Sequence, residues 1–133
     1  MANLSNKVSP TNVATLTSTQ TLTNKTLVDP AITGTILEDV YTVAGTTPAL
    51  DPANGSIQVW TLTGNSTPTD SLAAGEAITL MIDDGTAYTI TWPTITWVNN
   101  AAAAPTLATT GYTVVALWKV STTLYGALVG DGS

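Results

Sequence analysis

Among its 133 residues the chain has no cysteine, histidine, arginine or phenylalanine, and only three lysines. Without Cys there can be neither disulfides nor thiolate metal sites, so stability has to come from packing or assembly. Without His or Cys, Ser-His-Asp and Cys-His nucleophile systems cannot be built. Ordinary zinc, copper and haem ligation fails for the same reason. No Gly-Lys-Ser/Thr phosphate loop and no GxGxxG run is present, which removes the usual signatures of ATP and nicotinamide binding. The expectation is a non-enzymatic chain with no cofactor and no metal.

Charge is nearly as scarce. Lys7, Lys25 and Lys119 stand against nine acidic residues, giving a formal net charge of −6 and a pI near 4.1. Nucleic-acid binding needs clustered Lys or Arg to neutralise phosphates, so no nucleic-acid partner is expected. An anionic membrane surface is excluded on the same ground. No apolar run approaches transmembrane length, and residues 1–7 lack an apolar core of the secretory type, so no signal is expected either.

Threonine is abundant instead. It occupies every odd position from Thr15 to Thr23, so an extended backbone there carries one face made wholly of threonine. The opposite face reads Leu16, Ser18, Gln20, Leu22, Asn24, too sparsely apolar to bury itself on its own chain. β-Branched threonine favours extended backbone, and an unpaired extended segment with leucine pegs reads as an arm that pairs with another chain. The competing reading is a disordered Thr-rich leader. After the arm, Pro30 is expected to hold Asp29 extended and Gly34 to permit a turn. Leu16, Leu22, Leu27, Val28 and Ile32 are the candidate partner-binding pegs.

From Ile36 the pattern changes to short alternating runs separated by Gly, Pro, Asn and Asp, which sets the expected division at 1–35 for the arm and 36–133 for a β-knob. In 56–63, Ile57 and Val59 point one way and Trp60 and Leu62 the other. Ile78, Leu80 and Ile82 alternate with Thr79 and Met81, and after Asp83-Asp84-Gly85-Thr86 the residues Tyr88, Ile90 and Trp92 alternate with Thr89 and Thr91. Asp-Gly between two such runs predicts a tight hairpin. A second hairpin is expected at the C-terminal end, with 112–120 apolar on both faces as befits a central strand, a turn at Ser121-Thr122, and a return over 123–129. No segment shows helical periodicity. The fold class expected is all-β, a compact antiparallel sandwich or barrel preceded by an extended arm.

Little chemistry attaches to the remaining polar residues. Glu38-Asp39 and Asp83-Asp84 are adjacent acids, but neighbours on a strand point to opposite faces, so neither doublet makes the carboxylate pair of a glycosidase. Asp83-Asp84 beside a Gly turn offers hard oxygen ligands, yet lacks the spacing of a calcium loop, and the solvated-turn reading prevails. Four Asn-x-Ser/Thr matches fall within chance for so Thr-rich a chain. The four tryptophans can be core pieces or sugar-stacking platforms, and core is the favoured reading for each, because large aromatics supply much of a small domain's buried area. Trp92 and Trp118 are in phase with aliphatic neighbours, which favours core. Trp60 and Trp97 are the two to test as exposed aromatic contacts.

The arm also carries a resemblance. Thr19-Gln20-Thr21-Leu22-Thr23-Asn24-Lys25-Thr26-Leu27, followed by Asp29-Pro30-Ala31-Ile32-Thr33-Gly34, resembles a stretch common in virion proteins of tailed bacteriophages, both tail fibres and small head-associated proteins. Gly111-Tyr112-Thr113-Val114-Val115-Ala116-Leu117-Trp118-Lys119, with Tyr125-Gly126, is similar to β-rich end domains of phage structural proteins. The resemblance implies a virion component, typically a homotrimer, with no enzymatic residues to carry over. Chain size favours a capsid cement, or decoration, protein on the capsid exterior, assembled in the host cytoplasm and partnered by the major capsid protein. The alternative is a tail-fibre or head-fibre component, an adhesin for a host-surface glycan or receptor.

Overall fold

The structure, a computed structural model, describes residue 19 and residues 21–83, 88–99 and 102–132. The chain divides into two units, Met1–Thr35 and Ile36–Ser133. The described residues contain no α-helix; the second unit is built from strands, with one 3-10 turn at Pro52–Asn54. In chain order the strands are β1 (Val40–Val43), β2 (Ala49–Leu50), β3 (Ile57–Thr61), β4 (Thr69–Asp70), β5 (Ala77–Asp83), β6 (Thr96–Trp97), β7 (Thr113–Val120) and β8 (Thr123–Asp131).

Six of them form one mixed sheet in the order β1-β3-β5-β7-β8-β6, and β2 and β4 form a second, two-stranded sheet. The N-terminal half runs as stacked coils. β1, β3 and β5 pair parallel, and the links between them carry β2 and β4, which also pair parallel. Link-to-link hydrogen bonds continue the stack, including Thr67 N–H to Thr46 C=O at 2.7 Å and Thr69 N–H to Pro48 C=O at 2.9 Å. In the C-terminal half β7 pairs antiparallel with β5 and with β8, turning at Ser121-Thr122 with Ser121 at φ 54°, and the short β6 runs parallel to β8 at the sheet edge.

Two expectations are corrected here. The sheet is mixed, not purely antiparallel, because long links that carry their own strands return the chain in parallel. The hairpin expected across Asp83-Asp84-Gly85 does not pair β5 with the run 88–92. Both edges of β5 are taken by β3 and β7, and Ile90 makes only an isolated bridge to Ser66. Alternation fixes which face a strand buries but does not choose its neighbour. A strand apolar on both faces, such as β7, is the better partner for β5.

Alternation does determine the core. Ile78, Leu80 and Ile82 of β5 are buried, as are Trp60, Val115, Leu117 and Leu124 from neighbouring strands and Leu50, Leu62 and Leu72 from the links. Trp60 is fully buried, and its indole Nε1–H donates to the Gly45 carbonyl at 3.2 Å, so its polar atom enters the core satisfied. Gln58, also buried, donates from Nε2 to the carbonyls of Asp51 (2.8 Å) and Gly55 (3.1 Å), tying the 3-10 turn to β3. Lys119 on β7 and Asp70 on β4 form an ion pair at 2.6 Å, and the other Asp70 oxygen accepts from Leu72 N–H at 2.9 Å, so this carboxylate joins the small sheet to the large one.

β6 closes over β8 by placing Trp97 opposite Gly126. A Cβ at Gly126 would lie 2.8 Å from Trp97 Cζ3 and 2.9 Å from Ile95 Cγ2. Gly126→Ala should therefore cost about 1–3 kcal/mol through overpacking. Gly130→Ala, which meets nothing within 4 Å, should stay within about 0.5 kcal/mol. Urea denaturation of the two variants beside the parent chain checks this, and equal stability for Gly126→Ala would refute the close approach.

Candidate functional site

No described residue of 21–39 belongs to a strand, and all are exposed. Of the candidate pegs, Leu22, Leu27, Val28 and Ile32 are 53, 59, 82 and 62% exposed, so each keeps more than half of its surface uncovered by its own chain. Leu16 lies outside the described residues. Ile36 and Leu37, the first residues of the second unit, are exposed as well and are not among the candidate pegs. The first unit is not one continuous extended rod: Asn24 (φ 54°), Asp29 (φ 47°) and Gly34 (φ 107°) all adopt positive φ. The expectation that Pro30 holds Asp29 extended is thus overturned. Aspartate tolerates the left-handed region better than most residues, so it supplies a bend where the following proline argued for a straight run.

The core reading holds for Trp60 and Trp97, the two to be tested as exposed contacts. Trp60 and Trp97, singled out as possible exposed contacts, are both buried, Trp60 by the link carrying Gly45 and Trp97 by its seat on Gly126 and its edge contact with Trp92 at 5.4 Å. Trp92 and Trp118 are the half-buried pair. Trp118 stands on the face of the large sheet away from the core, stacked with Tyr125 of the neighbouring strand at 5.9 Å and 14°. Being in phase with aliphatic residues said nothing about burial there, because β7 is apolar on both faces.

That outer face is the second unusual surface. Ile57, Val59, Met81, Val114 and Ala116 share it with Trp118, each shielded only in part. At one end the Ser56 hydroxyl donates to Glu38 Oε2 at 2.6 Å, bounding a shallow groove of ≈ 180 Å³ floored by Ala77, Thr79 and Ala116 and walled by Trp118. A second groove of ≈ 280 Å³ is lined by Tyr88, Ile90, Trp92, Pro105 and Leu107. Among the described residues no three of Asp, Glu, His or Cys gather as a metal site would require. No described helix is long and apolar enough to cross a membrane.

Comparison with protein-family models, with curated proteins and with solved structures returns no match. The surfaces therefore stand on their own chemistry: an arm of exposed apolar pegs, and a sheet face with apolar residues on its solvent side. The few basic sites make the exposure of the arm directly measurable. Trypsin should cut after exposed Lys25 well before it cuts after Lys119, which pairs with Leu124 on one edge, exchanges backbone hydrogen bonds with Gly75 and Glu76 on the other, and is bound to Asp70. Mass spectrometry of a digestion time course would reveal the order, and first cleavage at Lys119 would contradict this description.

Proposed function

We propose that the chain is a non-enzymatic structural protein of a tailed-phage virion, a trimeric cement protein on the capsid exterior that binds the major capsid protein through arm and knob. The observation that carries this reading is the run of exposed pegs at Leu22, Leu27, Val28 and Ile32. Apolar side chains at such positions gain nothing on their own chain and gain about 1.5–3 kcal/mol each when buried on another. The small β2–β4 sheet against the large one makes the knob, on this reading, a small sandwich that carries the arm.

The magnitudes say how such an arm works. Ordering a residue costs about 1–2 kcal/mol of backbone entropy. Four pegs therefore offset the ordering of only a handful of residues, and a single arm binds weakly even with main-chain hydrogen bonds added by strand pairing. A trimer presents three arms at once, and linked weak contacts multiply into useful avidity. Occupying several capsid sites together then raises the free energy needed to open the shell.

The fibre or adhesin reading draws on the groove lined by Tyr88, Trp92 and Leu107, since half-exposed aromatics are suitable for stacking on sugar rings. Every buried residue of the hydrophobic core falls within 43–124. Deleting 1–35 should accordingly leave a folded knob that has lost its affinity for undecorated capsids, as judged by circular dichroism and capsid co-sedimentation. A truncated knob that decorates shells as well as the full chain eliminates the arm as anchor, and retention on a glycan array with no capsid binding favours the adhesin.

A further inference from the structure

We infer that the outer face of the large sheet, β1 through β8, is where a second copy of this chain packs. The inference rests on the reading of the chain as an assembling structural protein and names the surface through which its copies meet. A sheet whose strands are apolar on both sides ordinarily has both sides covered. Here the core covers one side only. On the other, Ile57, Val59, Met81, Val114, Ala116 and Trp118 are half-buried. Val40 and Val120 at the margins stay 64 and 56% exposed.

The face is large enough. Five strands about 4.8 Å apart, rising about 3.3 Å per residue, outline roughly 20 by 25 Å, or about 500 Å² per copy. Two such faces together reach the roughly 1,000 Å² at which a specific interface becomes credible. A single patch of this size is near the upper end of what monomers leave exposed.

The face also fits itself. Thr79, Ala116 and Ala127 are in register across β5, β7 and β8 and form a trough of small side chains. On one side of the trough rises the stacked Trp118–Tyr125 ridge, on the other the Met81–Val114 pair. Ridge and trough on one surface allow a symmetry-related copy to seat its ridge in the trough, the self-complementarity that a two-fold contact between copies requires. The Glu38–Ser56 pair at the edge supplies a polar rim. Charge gives a contact between copies a distinct salt dependence. Eight of the nine acids lie in 36–133 with Lys119 as the only base, and Lys119 is already paired with Asp70. Copies meeting on an apolar face with acidic surroundings associate more tightly as salt screens their repulsion, whereas a charge-steered foreign partner is released by salt.

The test is the mass of the full-length chain against concentration, by sedimentation or light scattering. The parent chain should associate to a multiple of 13.6 kDa, more tightly in added salt. Ala116→Glu should weaken association about 100-fold or more while keeping its circular dichroism, since the added carboxylate would be buried unpaired in the interface. A parent chain that stays monomeric at about 1 mM, or a folded Ala116→Glu with unchanged association, overturns the inference. Should Ala116→Glu fail to fold, Ala116→Cys substitutes for it, because the chain has no other thiol. Its maleimide alkylation should slow about tenfold or more once association sets in, and a rate independent of concentration overturns the inference. A dimer with a protected face upholds this interface and refutes the trimeric stoichiometry. Capsid binding by an Ala116→Cys chain whose introduced thiol stays open to maleimide upholds the cement reading and refutes the interface.

Discussion

The pairing of β5 along both edges is the constraint on which the rest of the knob depends. On one side β5 runs parallel to β3 and terminates the stack of coils; on the other it runs antiparallel to β7 and begins the C-terminal hairpin. Without it each half would end in an open strand edge, the condition that natural sheets avoid. Its inward residues Ile78, Leu80 and Ile82 are all buried. At about 1.5–3 kcal/mol each, they supply an amount comparable with the whole net stability of a domain, about 5–15 kcal/mol.

The same arrangement explains how so little charge is used. The Lys119–Asp70 pair joins β7 to β4, and backbone bonds from Gly75 N–H to Lys119 C=O and from Lys119 N–H to Glu76 C=O secure the same corner. Lys119 is thereby committed inside the fold, and the remaining carboxylates of the knob have no lysine beside them in sequence. The polar surface of the knob is left to those acids and to threonine and serine.

How much of this was legible in sequence follows from what alternation can encode. The period-two pattern put Trp60 and Leu62 on the face opposite Ile57 and Val59 without saying which face is buried, and it separated Val115 and Leu117 from Val114, Ala116 and Trp118. It also identified the β7–β8 hairpin, because a two-residue turn leaves only one way for the strands to meet. It could not choose partners across long links. For that reason the parallel coil stack went unforeseen and the run 88–92 was assigned to β5. Nor could it rank the tryptophans: Trp97 is buried because Gly126 leaves room beneath it, a contact between residues far apart in sequence. Asp29 failed for a local reason, since the rule for a residue before proline competes with the tolerance of aspartate for positive φ, and here the second prevails. The exposed pegs were readable because the arm's polar composition leaves nothing nearby to bury them.

Arm and face contribute unequally to the proposed assembly. A preformed sheet face loses little conformational entropy when it is covered, because β-sheet pairing already fixes its backbone and half-buries its side chains. The described residues of the first unit lie in no strand, and where a stretch has to be ordered at about 1–2 kcal/mol per residue the four pegs offset only a short one. The face is thus the element able to hold copies together on its own. The arm becomes effective only after that step, when several arms on one oligomer act at high effective concentration. This ordering makes arm attachment conditional on oligomer formation, so an isolated chain gains little from docking its arm and an assembled one gains from every copy.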